Sequence, residues 1–168
     1  IMVAEGGTEA IDILTVTQAR AKSKYITKID IVLTDWLMNK GSGEDLLQWI
    51  RQHEKDEVRF LPVVVCSGYA TEAITSRARD QGANETLVKP VSAKGLAQRI
   101  CTVIDHPRPF INVPSFFGPD RRRQQLSYKG HERRVTHADQ IVTIKKRPIK
   151  KICKMQALKL RCTALPIG

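Results

Sequence analysis

Ile29-Asp30-Ile31-Val32-Leu33-Thr34 is a short β-branched run, interrupted only by Asp30, and it ends directly on Asp35. A run without polar alternation reads as a strand buried on both faces, which is the habit of parallel sheets covered by helices. The segments on either side agree. Downstream, Trp36 to Gly43 is a loop whose Ser42 can cap the next helix, with Asp45 in the capping-box position. That helix is predicted from about Glu44 to His53, burying Leu46, Leu47 and Ile50. A charged loop from Glu54 to Arg59 leads to Leu61-Pro62-Val63-Val64-Val65-Cys66, the most hydrophobic segment of the chain, in which Pro62 fits only a strand start.

Further along, Thr71 to Gln81 has helical spacing, with Thr71 as N-cap and Gly82 as the stop. Thr86-Leu87-Val88 reads as a strand, Lys89-Pro90 as a turn, and Ser92 as the cap of a helix reaching about Ile104 through Leu96, Ile100 and Val103. Upstream of Ile29, Ile1 to Ala4 is a short apolar run expected to be a strand, and Thr8 to Leu14 opens a helix. Strand and helix therefore alternate four times. Such alternation specifies a parallel sheet with helices on both faces, joined by right-handed crossovers.

The charge is divided unevenly. The 168 residues carry 28 Lys and Arg against 17 Asp and Glu, a net of +11. Residues 1–105 have 13 basic against 14 acidic side chains, and residues 106–168 have 15 against 3. A near-neutral body, 1–105, is thus followed by a strongly basic extension, 106–168. No apolar run is long enough to span a membrane, and the first residues lack the pattern of a secretory signal. The expected location is the cytoplasm. Cys66, Cys101, Cys153 and Cys162 have no metal-ligand spacing and read as free thiols.

Ligands of open parallel sheets bind at the carboxyl ends of the strands, so Asp35, Ser67 and Lys89, each directly following a strand, have the best claim to function. A carboxylate that accepts a phosphoryl group, a hydroxyl that bonds a phosphoryl oxygen and an ammonium that offsets its charge would explain the three together. Taken singly they have plainer uses: Asp35 as a turn cap, Ser67 as loop filler, Lys89 as a solvated charge. Trp36 and Trp49 read as packing or partner-surface residues.

The motifs IDIVLTDWLM, LPVVVCSGYA and NETLVKPVS, in this order and spacing, resemble the receiver domain of bacterial two-component response regulators over roughly residues 1–105. The resemblance implies a flavodoxin-like, CheY-like doubly wound sheet; the handed-down strand order 2-1-3-4-5 is a property of that family. It also implies that Asp35 is the phosphoacceptor, Ser67 the switch hydroxyl, and Lys89 the lysine before an often cis proline. Asp35 and the backbone carbonyl of Leu37 would contribute to a magnesium site. Implied partners are a histidine kinase or phosphotransfer protein and a downstream protein target, with a dimer also open. At most slow self-dephosphorylation is implied, not an enzyme.

Two departures matter. Family members begin with a strand that ends in paired acidic residues, which hold the magnesium; in this chain the first strand and first helix of the fold are missing. Glu5 has no reason to substitute, so Mg2+ binding is expected to be weak or absent. The aromatic switch position is occupied by Thr86.

The extension is read as irregular and flexible, because Pro107, Pro109, Pro114, Gly118, Pro119 and Gly130 keep interrupting it. It contains a short motif twice, Gly118-Pro119-Asp120-Arg121-Arg122 and Gly130-His131-Glu132-Arg133-Arg134. The arginines of this extension, with Phe110, Phe116, Phe117 and Tyr128, suggest the alternative of a nucleic-acid-binding protein on a degenerate receiver scaffold. A solvated tail is the simpler reading. The Lys-rich end could also form a basic amphipathic helix.

Overall fold

A computed structural model describes residues 1–19, 29–68, 72–121 and 140–142. The first helix, α1 (Gly7–Ala19), leads to strand β1 (Val32–Asp35), helix α2 (Gly43–Gln52) and a single turn α3 (Asp56–Arg59). Strand β2 (Val63–Ser67), helix α4 (Glu72–Asp80), strand β3 (Glu85–Val88) and helix α5 (Ala93–Asp105) complete the alternating part. The strands pair in parallel in the order β1-β2-β3.

β2 is the central strand, and its sequence explains why. Val63, Val64 and Val65 are all essentially inaccessible, as a strand covered on both faces requires. Val63 and Val65 join Leu14, Trp36, Leu46, Leu47, Ile50, Val58 and Leu61 in the main apolar core. β1 starts at Val32 and not at Ile29 because its ladder starts with β2: Val32 N donates to the Pro62 carbonyl at 2.9 Å, and Val32 lies opposite Val63. The predicted caps are present. Ser42 and Asp45 form the reciprocal capping box of α2, Ser92 caps α5 by accepting from Gly95 N at 3.0 Å, and Gly82 ends α4 with φ of +92°. Thr71 lies outside the described residues.

Two expectations need correction. Ile1 to Ala4 is not a strand: it joins no ladder among the described residues, and Ile1, Met2 and Val3 are exposed. A short apolar run becomes a strand only when a neighbour supplies its hydrogen bonds, and β1 pairs on one side only, with β2. The extension, second, is not irregular where it is described. Phe110–Val113 (β4) and Phe116–Pro119 (β5) form an antiparallel hairpin, and Ile141–Val142 (β6) adds to the other edge of β4. The prolines punctuate this hairpin instead of preventing it: Pro109 precedes β4, Pro114 lies in the turn, and Pro119 ends β5.

The hairpin is fixed to the body by aromatic packing. Phe60, Phe110 and Phe117 form a triangle with ring centroids 5.0 to 5.3 Å apart, and Phe110 is fully buried. Gly118 and Gly82 approach so closely that a methyl group on Gly118 would stand 2.7 Å from the Gly82 Cα. Arg121, from the first copy of the repeated motif, pairs with Asp80 at 2.7 Å and lies over the Phe116 ring at 4.7 Å. Phe110, Phe116 and Phe117 are thus committed to packing, which removes them as base-stacking residues. Tyr128 and the second copy of the motif lie outside the described residues.

Arg51 joins these parts. Its guanidinium is buried and donates to the carbonyls of Gly82 (2.8 Å), Arg59 (2.7 Å) and Leu61 (2.8 Å) and to Asn84 Oδ1 (2.8 Å). Asn84 Oδ1 also accepts from Val63 N at 2.9 Å, and the Phe110 ring stacks 5.2 Å from the Arg51 carbon. Burial pushes the Arg51 pKa down to about 9, still charged at neutral pH. Arg51→Met should destabilise the fold by about 3 kcal/mol or more, since it takes the guanidinium donors away from four acceptors in the interior. Phe110→Ala should cost a similar amount, about 3 to 5 kcal/mol, if the hairpin is part of the core. Urea unfolding followed by circular dichroism measures both; a Phe110→Ala loss below about 1 kcal/mol would mean a hairpin that merely rests on the surface.

Candidate functional site at the strand ends

Parallel pairing carries the three singled-out side chains to one edge of the sheet. Asp35 is opposite Cys66, and Ser67 is opposite Val88, so the last residues of β1 and β2 and the first residue beyond β3 are neighbours. The backbone N–H of Lys89 donates to the Ser67 carbonyl at 2.9 Å, which continues the ladder past β3. Lys89-Pro90 is a cis peptide bond, as the resemblance implies.

The Asp35 carboxylate is held by two donors. Its Oδ1 accepts from the Trp36 N–H at 2.7 Å, and its Oδ2 accepts from Lys89 Nζ at 2.5 Å. Roughly a third of the Asp35 side chain and half of the Lys89 side chain remain exposed, so an incoming group can reach the pair. The hydrogen bond to Asp35 raises the Lys89 pKa, with a smaller opposing effect of burial. Ser67 is buried at the end of β2 beside them. Cys66, one residue earlier, is half-buried, and burial pushes its thiol pKa up while the Lys89 charge opposes this. It therefore stays a protonated thiol at neutral pH.

The loop after Asp35 is positioned from below. A methyl group on Gly43 would stand 2.0 Å from the Asp35 carbonyl oxygen, and Gly43 N donates to the Trp36 carbonyl at 3.0 Å. Trp36 itself is buried in the core. Gly6 and Gly7 lie equally close to Lys40 and Ser42, and Gly41 takes φ of +77°. The N-terminus of α2 thus presses against the end of β1 through a residue without a side chain. Sequence reading missed this role of Gly43, although the Gly41-Ser42-Gly43 pattern signals a close backbone approach.

Comparison with known proteins decides the family. The response regulator receiver domain model matches residues 1–101. The chain belongs to the response regulator receiver family. It is 33% identical over 97 residues to the chemotaxis protein CheY-3 of Vibrio cholerae, covering 58% of this chain and 70% of that one. It is also 33% identical over 76 residues to the phosphate regulon transcriptional regulatory protein PhoB of Escherichia coli, covering 45% of this chain and 32% of PhoB. The chain thus spans about a third of PhoB. Among solved structures, a response regulator receiver domain protein from Clostridium thermocellum is 30% identical, with a TM-score of 0.49 over 62% of this chain and 73% of that one.

Receiver domains typically bind Mg2+, and the donors at this edge must be weighed against what that ion needs. Magnesium takes six oxygens, usually one or two carboxylates together with waters and a substrate phosphate. Among the described residues no three His, Cys, Asp or Glu side chains converge on one point. Asp35 is the carboxylate at this edge, and both of its oxygens already accept hydrogen bonds; Leu37 follows in an exposed loop. Glu5 is turned to Lys40 at 2.9 Å. The described residues therefore do not make a magnesium site by themselves.

Two outcomes follow. Nitrogen-15 NMR titration of the Lys89 ammonium should give a midpoint above the ordinary lysine value, returning to it in Asp35→Asn. The sign is fixed: a raised folded pKa means that the pair stabilises the fold at neutral pH and is lost as pH rises through that midpoint. An unchanged midpoint in Asp35→Asn would separate the two groups. Gly43→Ala should destabilise by about 2 kcal/mol or more in urea unfolding, because backbone and not a flexible side chain must move. A neutral Gly43→Ala would show that α2 does not press on the end of β1.

Proposed function

We propose that this receiver accepts a phosphoryl group on Asp35 from a histidine kinase or a phosphotransfer protein in the cytoplasm, and signals through a changed protein-binding surface. The observation that carries this reading is the Lys89 ammonium on the Asp35 carboxylate, with Ser67 next to both. In the transfer a carboxylate oxygen of Asp35 forms the new bond to phosphorus, and the bond from phosphorus to the donor's leaving atom breaks. Lys89 then faces the added negative charge, and the Ser67 hydroxyl donates to a phosphoryl oxygen. Nothing in this scheme turns over a substrate, so the chain acts as a phosphoacceptor with at most slow self-dephosphorylation. The downstream target is a protein. With Thr86 in place of a bulky ring, the output face must respond through packing other than an aromatic rotation.

Among the described residues no further carboxylate converges with Asp35 on a metal position, and this shapes the test. A strand ending in two acidic residues is fused ahead of Ile1, and the protein is incubated with a small phosphodonor and Mg2+. An acid-stable, base-labile adduct is expected, absent in Asp35→Asn and formed about 10-fold or more slowly in Lys89→Ala and Ser67→Ala. The chain without the added strand should label little. Undiminished labelling of Asp35→Asn, or none in the extended protein, would refute the proposal.

A further inference from the structure

Far from Asp35 along β3, at the strand's opening end, four arginines surround a cavity of about 400 Å³. Arg79 comes from α4, Arg99 from α5, and Arg108 and Arg121 from the two ends of the hairpin segment; Thr75, Ala83 and Thr86 complete most of the wall. Two carboxylates are near these guanidiniums. Glu85, only 9% exposed, lies 3.7 Å from Arg99 and 3.9 Å from Arg108, and Asp80 pairs with Arg121 at 2.7 Å. Arg79 makes no ion pair among the described residues. Four positive charges face two negative ones, and the 3.7 and 3.9 Å separations from Glu85 are ion-pair distances longer than a hydrogen bond.

We propose that Arg79, Arg99, Arg108 and Arg121 form a binding site for a small ligand carrying two or more linked phosphates. Guanidinium forks suit phosphate oxygens, and several of them around one hollow suit a compact polyanion. The volume is that of a small-molecule pocket and exceeds what a single phosphate fills. Glu85 holds Arg99 and Arg108 beside each other and keeps them from repelling, so the site is preformed. The hairpin is what completes it: without residues 108 and 121 the receiver body would offer two of the four arginines. The site is separate from the phosphoacceptor reading and does not depend on it.

Isothermal titration calorimetry on the full chain, in EDTA and moderate salt, uses inorganic pyrophosphate in one arm and ADP in the other. Saturable binding is expected, weakened about 10-fold for each guanidinium removed. Equal affinity in the two arms assigns the recognition to the phosphates alone, and tighter ADP binding adds the nucleoside to it. Arg79→Gln/Arg108→Gln should lose most of the affinity. Lys145→Gln/Lys146→Gln, which removes the same charge from the basic extension, should lose less than about twofold. Arg79→Gln alone, which breaks no ion pair among the described residues, serves if the double variant unfolds. No saturable binding, or equal weakening by the arginine and lysine pairs, would overturn the proposal.

Discussion

The parallel register of β1, β2 and β3 is the constraint on which the rest depends. Asp35 opposite Cys66 and Ser67 opposite Val88 leave no freedom in where the strand-end residues go, because a slip of one residue would turn every side chain of β2 to the other face. Burial of Val63, Val64 and Val65 on both faces makes such a slip expensive. The chemistry at the edge, a carboxylate touched by an ammonium with a hydroxyl adjacent, is therefore a consequence of apolar packing in the middle of the sheet. Gly43 adds a second restraint by admitting the N-terminus of α2 to contact with the Asp35 backbone.

The opposite end of the sheet is organised by a different interaction. Arg51 reaches across from α2 to collect acceptors from the turns around Leu61 and Gly82 and from Asn84, then offers its face to Phe110. A buried cation with no carboxylate partner among the described residues is tolerated because carbonyl and amide oxygens surround it. This hub is also where the hairpin packs against the receiver body, through Phe110 over Arg51 and the Phe60, Phe110 and Phe117 rings. The site at the strand ends and the hairpin lie at opposite ends of the sheet, and the four-arginine cavity lies at the hairpin end.

Most of the alternating body was legible in the sequence because buried parallel strands, capping residues and a helix-ending glycine leave local signals. Ser42, Gly82 and Ser92 act where those signals put them. Asp35, Ser67 and Lys89 were legible as strand-end residues, and the structure brings all three together. Ile1 to Ala4 was misread since strand formation depends on a partner that local composition does not report. The hairpin was missed for the opposite reason: Pro109, Pro114 and Pro119 look disruptive in a list, yet each sits outside a ladder position that needs an N–H or at its end. Phe110 and Phe117 looked like tail aromatics among arginines because the rings they meet, Phe60 and each other, are distant in sequence or simply adjacent in space. Arg51 carried no signal at all, being one charge among many.

The central claim is that the sheet edge delivers Asp35, and no other carboxylate, to an incoming phosphoryl group. Its most direct measurement is the position of the phosphoryl group in the strand-extended protein, read by reductive conversion of the acyl phosphate and tandem mass spectrometry of the peptides. The account predicts conversion at Asp35 alone. Conversion at Asp30, Glu44 or Asp45, with Asp35 unmodified, would contradict it.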